Sequence, residues 1–206
     1  MNSLCLIITG GEYAEIPEDI RKADYVIACD RGWQYAQQMG IKPDLIIGDF
    51  DSSPRPETDI PILQFPSHKD DTDTMLAARE ALKRGFKNIA ICCAFGARLD
   101  HTMANIQSMA YAASHGCKCE LYAGDEYFCT LTKSSGTFPA KENFSFSVFS
   151  LTDSCAGVSI TGAEYECSDV TLTNAFPLGV SNKWKKDAIT VSLAEGILLI
   201  VESRYR

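Results

Sequence analysis

The segment PDLIIGDFDSSPRP, residues 43–56, is an apolar run that ends abruptly in acidic residues. The apolar residues 45–47 have the composition of a short strand buried on both faces, as strands of parallel sheets are. Asp49 and Asp51 follow at once, one residue apart, and Ser52 comes next. Two carboxylates this close repel each other unless a cation lies between them. The segment therefore predicts a buried strand whose carboxyl end carries a cation site.

The first half of the chain alternates in the same way between short apolar runs and segments with helical spacing of apolar residues. Strands are predicted at residues 4–9, 25–29, 44–48, 88–94 and 119–124, and helices within residues 32–40, 72–85 and 99–116. The last two helical segments end in glycine, which is common just after a helix. Strands and helices in alternation predict a mostly parallel sheet with helices on its faces.

The pattern changes after about residue 130. Residues 143–151, NFSFSVFSL, alternate polar and apolar side chains with a period of two, and residues 157–173 and 188–204 continue as short apolar runs with turn residues between them. We therefore predict an α/β N-terminal domain with a mostly parallel sheet, followed by an all-β C-terminal domain built as an antiparallel sandwich or barrel. Residues 132–143 are predicted to be a linker or hairpin.

Composition excludes several classes of function. The formal net charge of −8 argues against broad nucleic-acid binding, which needs a basic surface. No apolar run approaches the roughly 20 residues of a membrane span, and the N-terminus lacks the basic start of a signal peptide. We expect a soluble, cytoplasmic protein. The nine cysteines are predicted to be buried thiols in a reducing compartment, since their spacing does not fit the common zinc motifs.

Acidic residues recur where the predicted strands end, which is the edge where open parallel sheets bind ligands. They are Asp30, Asp49, Asp51, the group Asp70, Asp71 and Asp73, and Asp100. Carboxylate oxygens are the ligands that Mg²⁺ prefers. Only His68 and His101 lie near these acids in sequence, so zinc or another soft metal suits the pattern less well. The acids therefore predict a magnesium site.

Simpler roles remain open for single members of this set. Asp71 or Asp73 is a candidate cap for the helix that follows, and Asp100 for the next one. Asp51 with Ser52 also fits a local side-chain turn. These roles explain each acid alone, but they do not explain why the acids gather at strand ends.

Cationic residues and glycines accompany the acids. Arg98 suits bidentate phosphate binding, and Lys69 precedes the acidic group. A salt bridge from Arg98 to Asp100 is the alternative. The pair Gly10-Gly11 raises the hypothesis that backbone N–H groups after the first strand face a phosphate. The P-loop pattern is absent from the sequence.

Five motifs in order resemble those of bacterial thiamine pyrophosphokinases. They are CDRGW (29–33), PDLIIGDFDS (43–52), KDDTD (69–73), GARLDHTMANI (96–106) and PLGVSNKW (177–184). The resemblance implies transfer of a pyrophosphoryl group from ATP to thiamine, giving thiamine diphosphate and AMP, with Mg²⁺ as cofactor. It also implies a homodimer whose active site lies at the subunit interface. Residues 1–131 would form the catalytic, ATP- and magnesium-binding domain, and residues 132–206 the thiamine-binding domain.

The resemblance also assigns roles to individual residues. Metal binding falls to Asp30, Asp49, Asp51 and Asp70. Catalysis falls to Asp49, Asp51, Asp70, Asp73, Arg98 and Asp100. ATP binding falls to Asp30, Ser52, Lys69, Thr72, Arg98 and His101, and thiamine binding to Asp100, Ser181, Asn182 and Trp184.

Other interpretations remain open at this point. Trp184 is either a stacking platform for the cationic thiamine rings or an aromatic residue of the core. The same acids would serve a diphosphotransferase acting on a hydroxymethyl pterin, a metal-dependent phosphohydrolase, or a non-catalytic sensor of nucleotide or thiamine. The pterin enzyme would need no cationic substrate, and the sensor would bind its ligand without turnover.

Overall fold

The computed structural model describes residues 3–50, 55–65, 71–96 and 98–205. The chain divides into two compact units, residues 1–124 and 125–206. The sequence predicts this boundary after residue 131. Residues 126–131 belong to the second unit because they form a strand that pairs along its whole length with residues 198–203.

The first unit contains the predicted parallel sheet. Its strands are β1 (Leu4–Ile8), β2 (Tyr25–Cys29), β3 (Leu45–Gly48), β4 (Ile62–Gln64), β5 (Asn88–Cys92) and β6 (Lys118–Ala123). They pair in the order β6-β5-β1-β2-β3-β4, and every pair is parallel. The consecutive residues Ile7 and Ile8 of β1, and Ile46 and Ile47 of β3, are all fully buried. These central strands therefore have apolar side chains on both faces, as the near-continuous apolar runs predicted.

Helices of the first unit begin where the sequence predicted them. They are α1 (Gly32–Gln38), α2 (Asp73–Lys83) and α3 (Leu99–Ser114), besides a single 3₁₀ turn at Ile20–Lys22. Thr72 caps α2, because its side chain accepts a hydrogen bond from the Met75 N–H at 3.2 Å. The question of which residue caps this helix is thereby settled in favour of Thr72 over Asp71 and Asp73.

The strand order reverses at β1, because β2 to β4 are added on one side of β1 and β5 and β6 on the other. The loops after β1 and β5 are joined by backbone hydrogen bonds, with Gly11 N–H donating to Cys93 O at 2.7 Å and Glu12 N–H to Phe95 O at 2.7 Å. A Cβ at Gly11 would lie 2.5 Å from both carbonyl oxygens. Gly11 is required for this close approach, and the hypothesis that its N–H faces a phosphate is wrong.

The second unit is antiparallel, as predicted. Its strands are β7 (Glu126–Leu131), β8 (Ser135–Pro139), β9 (Phe144–Ser150), β10 (Ser154–Thr161), β11 (Cys167–Thr173), β12 (Gly179–Asn182), β13 (Ala188–Ser192) and β14 (Leu198–Arg204). They pair in the orders β12-β9-β14-β7 and β11-β10-β13-β8. Phe146, Val158, Ile189 and Ile200 fill a core shared by the two sets. The predicted linker or hairpin at 132–143 contains β8, which pairs with β13.

The structure can also be compared with the sequence predictions for the cysteines and for membrane spans. All nine cysteines are present as thiols, and all except Cys167 are buried. Of the helices in the described ranges, none has both the length and the hydrophobicity that a transmembrane span requires.

We expect Gly32→Ala to destabilise the protein, because Gly32 begins α1 directly against the end of β1. A Cβ at this position would lie 2.0 Å from the carbonyl oxygen of Ile8, so the helix must move away from the sheet. Overpacking of this kind costs about 1–3 kcal/mol. The midpoint of urea unfolding measures the loss. The control is Gln37→Ala, at an exposed position of the same helix, and equal midpoints for the two variants would refute the argument.

Candidate active site

Asp30 occupies the first position after β2, at the carboxyl edge of the parallel sheet. Its backbone is left-handed, with φ of 43°, and its N–H donates to Ile47 O at 2.8 Å. A Cβ at Gly48 would lie 2.1 Å from the Asp30 carboxylate oxygen Oδ1. Gly48 therefore leaves the space in which the Asp30 carboxylate lies across the end of β3, and a side chain here would displace it.

The Asp30 carboxylate lies in an environment that disfavours its charge. Burial, a hydrogen bond with the Asp73 carboxyl group and the charges of Asp73 and Asp49 raise its pKa to about 8, although a hydrogen bond from the Phe50 backbone acts in the opposite direction. Its Oδ1 is buried without a hydrogen-bond partner among the described residues. The structure thus brings Asp30, Asp49 and Asp73 together into an acidic cluster with an unsatisfied acceptor.

Each acid of this cluster comes from a different element. Asp30 follows β2, Asp49 follows β3, and Asp73 is the first residue of α2. The thiol of Cys29, the last residue of β2, donates to Asp73 O at 3.5 Å, which holds the start of α2 against the strand end. The acids meet because parallel strands end at one edge and α2 begins there.

Other predicted acids are placed differently. Asp71 forms an ion pair with Arg79 on the exposed side of α2, so it has a structural contact of its own. Asp51, Ser52, His68, Lys69 and Asp70 lie outside the described residues. Within the described part of the chain, no three acidic, histidine or cysteine side chains are arranged to hold a metal ion together.

Arg98 and Asp100 form the salt bridge that the sequence analysis kept as an alternative. Arg98 Nε donates to Asp100 Oδ1 at 3.1 Å, and Nη2 donates to Oδ2. The Asp100 carboxylate also accepts the backbone N–H of His101 at 2.9 Å. These donors lower the pKa of Asp100, and the carboxylate raises that of Arg98. All three residues are exposed at the start of α3, so the pair forms a surface unit that a ligand can reach.

Of the four predicted thiamine-binding residues, Asp100 lies in the first unit, and Ser181, Asn182 and Trp184 lie in the second. Ser181 is exposed in a left-handed conformation. The Asn182 side chain is buried and makes three hydrogen bonds, accepting from Tyr165 N–H and Lys183 N–H and donating to Tyr165 O. Most of its amide is therefore committed to holding a turn, which is a structural role that the sequence did not reveal.

Trp184 packs in part against the core, which is one of the two roles weighed for it. Its indole N–H donates to Phe138 O at 3.1 Å, and its ring meets Phe146 edge-on with centroids 5.0 Å apart. The side chain is half-buried and packs against the core of the second unit. One part of the ring is thus fixed by the core, and the rest stays accessible.

Comparison with known proteins gives these features a context. Residues 17–121 match the family model for the catalytic domain of thiamin pyrophosphokinase, and residues 137–198 match the model for its vitamin B1 binding domain. The chain belongs to the thiamin pyrophosphokinase family. The family predicted from the five motifs is therefore confirmed, and the comparisons give no support to the pterin alternative.

Relatives match the chain from end to end. The thiamine pyrophosphokinase of Bacillus subtilis is 29% identical, over 96% of this chain and 97% of the relative. A crystal structure of the thiamine pyrophosphokinase from B. subtilis superposes with a TM-score of 0.86 at 24% identity, covering 99% and 100% of the two chains. A thiamin pyrophosphokinase family structure from Enterococcus faecalis gives 0.82 at 25%, covering 99% and 100%. Yeast thiamin pyrophosphokinase gives 0.73 at 15%, covering 98% and 86%. The α/β-then-β fold class is confirmed.

Sequence reasoning missed two features of the candidate site. It did not single out Gly48, whose lack of a side chain admits the Asp30 carboxylate. It also did not foresee the hydrogen bond between Asp30 and Asp73. A signal for the first was available, since a glycine interrupts the apolar run directly before Asp49. The second depends on where α2 begins relative to β2, which local sequence does not specify.

We expect Asp30→Asn to stabilise the metal-free protein at alkaline pH. The folded-state pKa of about 8 exceeds the ordinary value of 3.8, so the folded protein binds more protons between these two pH values and loses stability as the pH rises through that window. Asparagine does not ionise and avoids this loss. The difference in Tm between variant and wild type should therefore widen from about pH 5 to about pH 8 and then stay constant.

Thermal unfolding in EDTA measures this difference. The matched control is Asp59→Asn, which removes an exposed carboxylate in the segment that leads into β4 and should give no such trend. A Tm difference that is independent of pH, or that narrows toward pH 8, would contradict the assigned environment of Asp30.

Proposed function

We propose that the chain transfers the pyrophosphoryl group of ATP to the hydroxyl group of thiamine, giving thiamine diphosphate and AMP. The observation that carries this proposal is the pair of family matches, catalytic at 17–121 and vitamin B1 binding at 137–198, each of which lies within one structural unit. The acidic cluster lies inside the catalytic match, and Ser181, Asn182 and Trp184 lie inside the other.

Magnesium fits the acidic cluster on chemical grounds. Asp30 and Asp49 offer oxygen ligands, the Asp30 Oδ1 lacks a hydrogen-bond partner among the described residues, and burial together with the neighbouring Asp73 and Asp49 raises the pKa of Asp30, so a nearby cation would favour its charged form. We propose that Asp30, Asp49, Asp51 and Asp70 hold Mg²⁺. When bound, the ion neutralises charge on the phosphate chain and aligns it.

The remaining residues act by binding and orientation. Asp73 holds the Asp30 carboxyl group in place by hydrogen bonding. We propose that the phosphate chain is bound by Arg98, Lys69, Ser52, Thr72 and His101. Asp100 orients the thiamine hydroxyl. The salt bridge with Arg98 lowers the pKa of Asp100 and makes it a weak base, so we propose that the proton of that hydroxyl goes to another carboxylate, either Asp73 or Asp70.

We also propose that the enzyme is a cytoplasmic homodimer with the active site at the subunit interface. The second unit exposes Phe176, Leu178 and Val180, which immediately precede Ser181. Residues 148–150 and 172–179 line a cavity of about 240 Å³ beside these side chains. Contiguous apolar surface of this kind favours contact with another protein surface. The buried thiols and the use of ATP suit the cytoplasm.

The first experiment is an assay with ATP, Mg²⁺ and thiamine, followed by phosphorus NMR. Thiamine-dependent AMP and thiamine diphosphate, abolished by EDTA, are expected. ADP with thiamine monophosphate would overturn the reaction proposed, ATP breakdown without thiamine would indicate a hydrolase, and ATP binding without turnover would indicate a sensor.

We expect Asp49→Asn to lower kcat by about 100-fold or more, because it removes charge where the phosphate chain is neutralised. Asp59→Asn is the matched control and should retain wild-type turnover, since Asp59 is exposed in the segment before the amino end of β4. Near-normal turnover of Asp49→Asn with Mg²⁺ would remove Asp49 from the assigned role.

A shared active site predicts complementation between two inactive variants. Asp49→Asn and Trp184→Ala damage different units, so a mixed dimer regains one intact site if each site uses both subunits. Random exchange of subunits makes about half of the dimers mixed, and each mixed dimer has one intact site of two. The mixture should therefore recover about a quarter of wild-type activity. The exchange is verified with two affinity tags. Verified mixed dimers without activity would show that each site belongs to one subunit.

A further inference from the structure

An arginine that the motif analysis did not single out stands beside the acidic cluster. Arg31 directly follows Asp30 and precedes α1, and its side chain is exposed. No carboxylate of the described residues forms an ion pair with it. A guanidinium next to clustered acids ordinarily pairs with one of them, so the lack of such a pair for Arg31 among the described residues needs an explanation.

The Arg31 guanidinium is held by an aromatic ring instead. Its central carbon lies 5.2 Å from the centroid of the Tyr35 ring, a distance at which cation–π attraction operates. Tyr35 is itself fixed, because it is 7% exposed, its hydroxyl donates to Gly11 O at 2.8 Å, and Tyr13 packs against it edge-on. Stacking of this kind positions the guanidinium and leaves its N–H groups available for a ligand.

The side chain leaves the sheet at the edge where ligands bind. A Cβ at Gly10 would lie 3.3 Å from the Arg31 Cβ, so Arg31 passes over the carboxyl end of β1. In the strand order β5-β1-β2-β3, Arg98 comes after β5, whereas Asp30 and Asp49 of the acidic cluster come after β2 and β3. Neighbouring strands are about 5 Å apart. Arg31 therefore occupies the interval between the acidic cluster and the Arg98–Asp100 pair, beside the switch point of the sheet.

A chain of phosphates along this edge needs positive charge away from the acids. Arg98 already donates through Nε and Nη2 to Asp100, so much of its donor capacity is used. Arg31 has no such carboxylate among the described residues, and a planar guanidinium suits phosphate oxygens. We propose that Arg31 binds the phosphate chain of the nucleotide, which makes it a further substrate-binding residue of the enzyme. The inference rests on the proposed use of ATP.

The test compares nucleotide binding by Arg31→Ala with binding by the wild type. Loss of a charged hydrogen-bonding group should weaken ATP binding about 10- to 100-fold, as measured by isothermal titration calorimetry without thiamine. Adenosine carries no phosphate, so its affinity should be unchanged, and the loss for AMP should be smaller than the loss for ATP. Arg31→Lys should recover part of the affinity, and Arg31→Gln provides a second charge-removing variant if Arg31→Ala folds poorly.

A matched control separates phosphate binding from loss of the stacking contact. Arg84 lies over the ring of Tyr25 at 4.5 Å, and Tyr25 is the first residue of β2, whereas Arg31 follows the end of the same strand. Arg84→Ala thus removes a comparable stack at the opposite edge, and it should lower Tm without weakening ATP binding.

Two results would overturn the inference: an unchanged Kd for ATP in the Arg31 variants, or equal losses for ATP and adenosine. Failure of the proposed function looks different. In that case the wild type binds ATP but forms no thiamine diphosphate, and the dependence of ATP binding on Arg31 still decides the inference.

Discussion

The repulsion among carboxylates at the end of β2 and β3 is the constraint on which the site depends. Asp30 is held in a left-handed backbone conformation, over a glycine that leaves no other side chain in its way. Its pKa of about 8 shows that the fold keeps this acid where its charge is disfavoured. Such strain persists only where the surrounding structure fixes it, and here the strands β1, β2 and β5, each buried except for its first residue, provide that rigidity.

The two units meet different physical demands. The parallel unit brings distant loops to one edge, since strands that run in the same direction all end there. It therefore suits a site that gathers charges from several parts of the chain. The antiparallel unit has a closely packed core on which Trp184 is fixed along one edge, which suits a rigid aromatic surface for a flat, cationic ligand. The division into two family matches follows the same boundary.

Much of this arrangement could be predicted from the sequence, and the failures have physical causes. The long apolar runs of β1, β2, β3 and β5 were recognisable because both faces are buried. The three-residue strand β4 was missed, since it is largely exposed and has no apolar alternation. In the site, the meeting of Asp30 and Asp49 followed from strand direction, whereas the place of Asp73 depends on where α2 begins. The Arg98–Asp100 pair and the hydrogen bonds of Asn182 depend on local backbone geometry, so the sequence left the first open and did not reveal the second.

The overall charge of the protein makes the local cations more important. A net charge of −8 repels a polyanionic nucleotide at long range, but in physiological salt this repulsion is screened beyond about 8 Å. Recognition must therefore come from groups in direct contact with the phosphates. The Arg98–Asp100 pair is formally neutral, so it adds little net attraction. Among the described residues no carboxylate pairs with the Arg31 guanidinium, which lies on the Tyr35 ring, so its charge is available to a phosphate at an edge otherwise rich in acids.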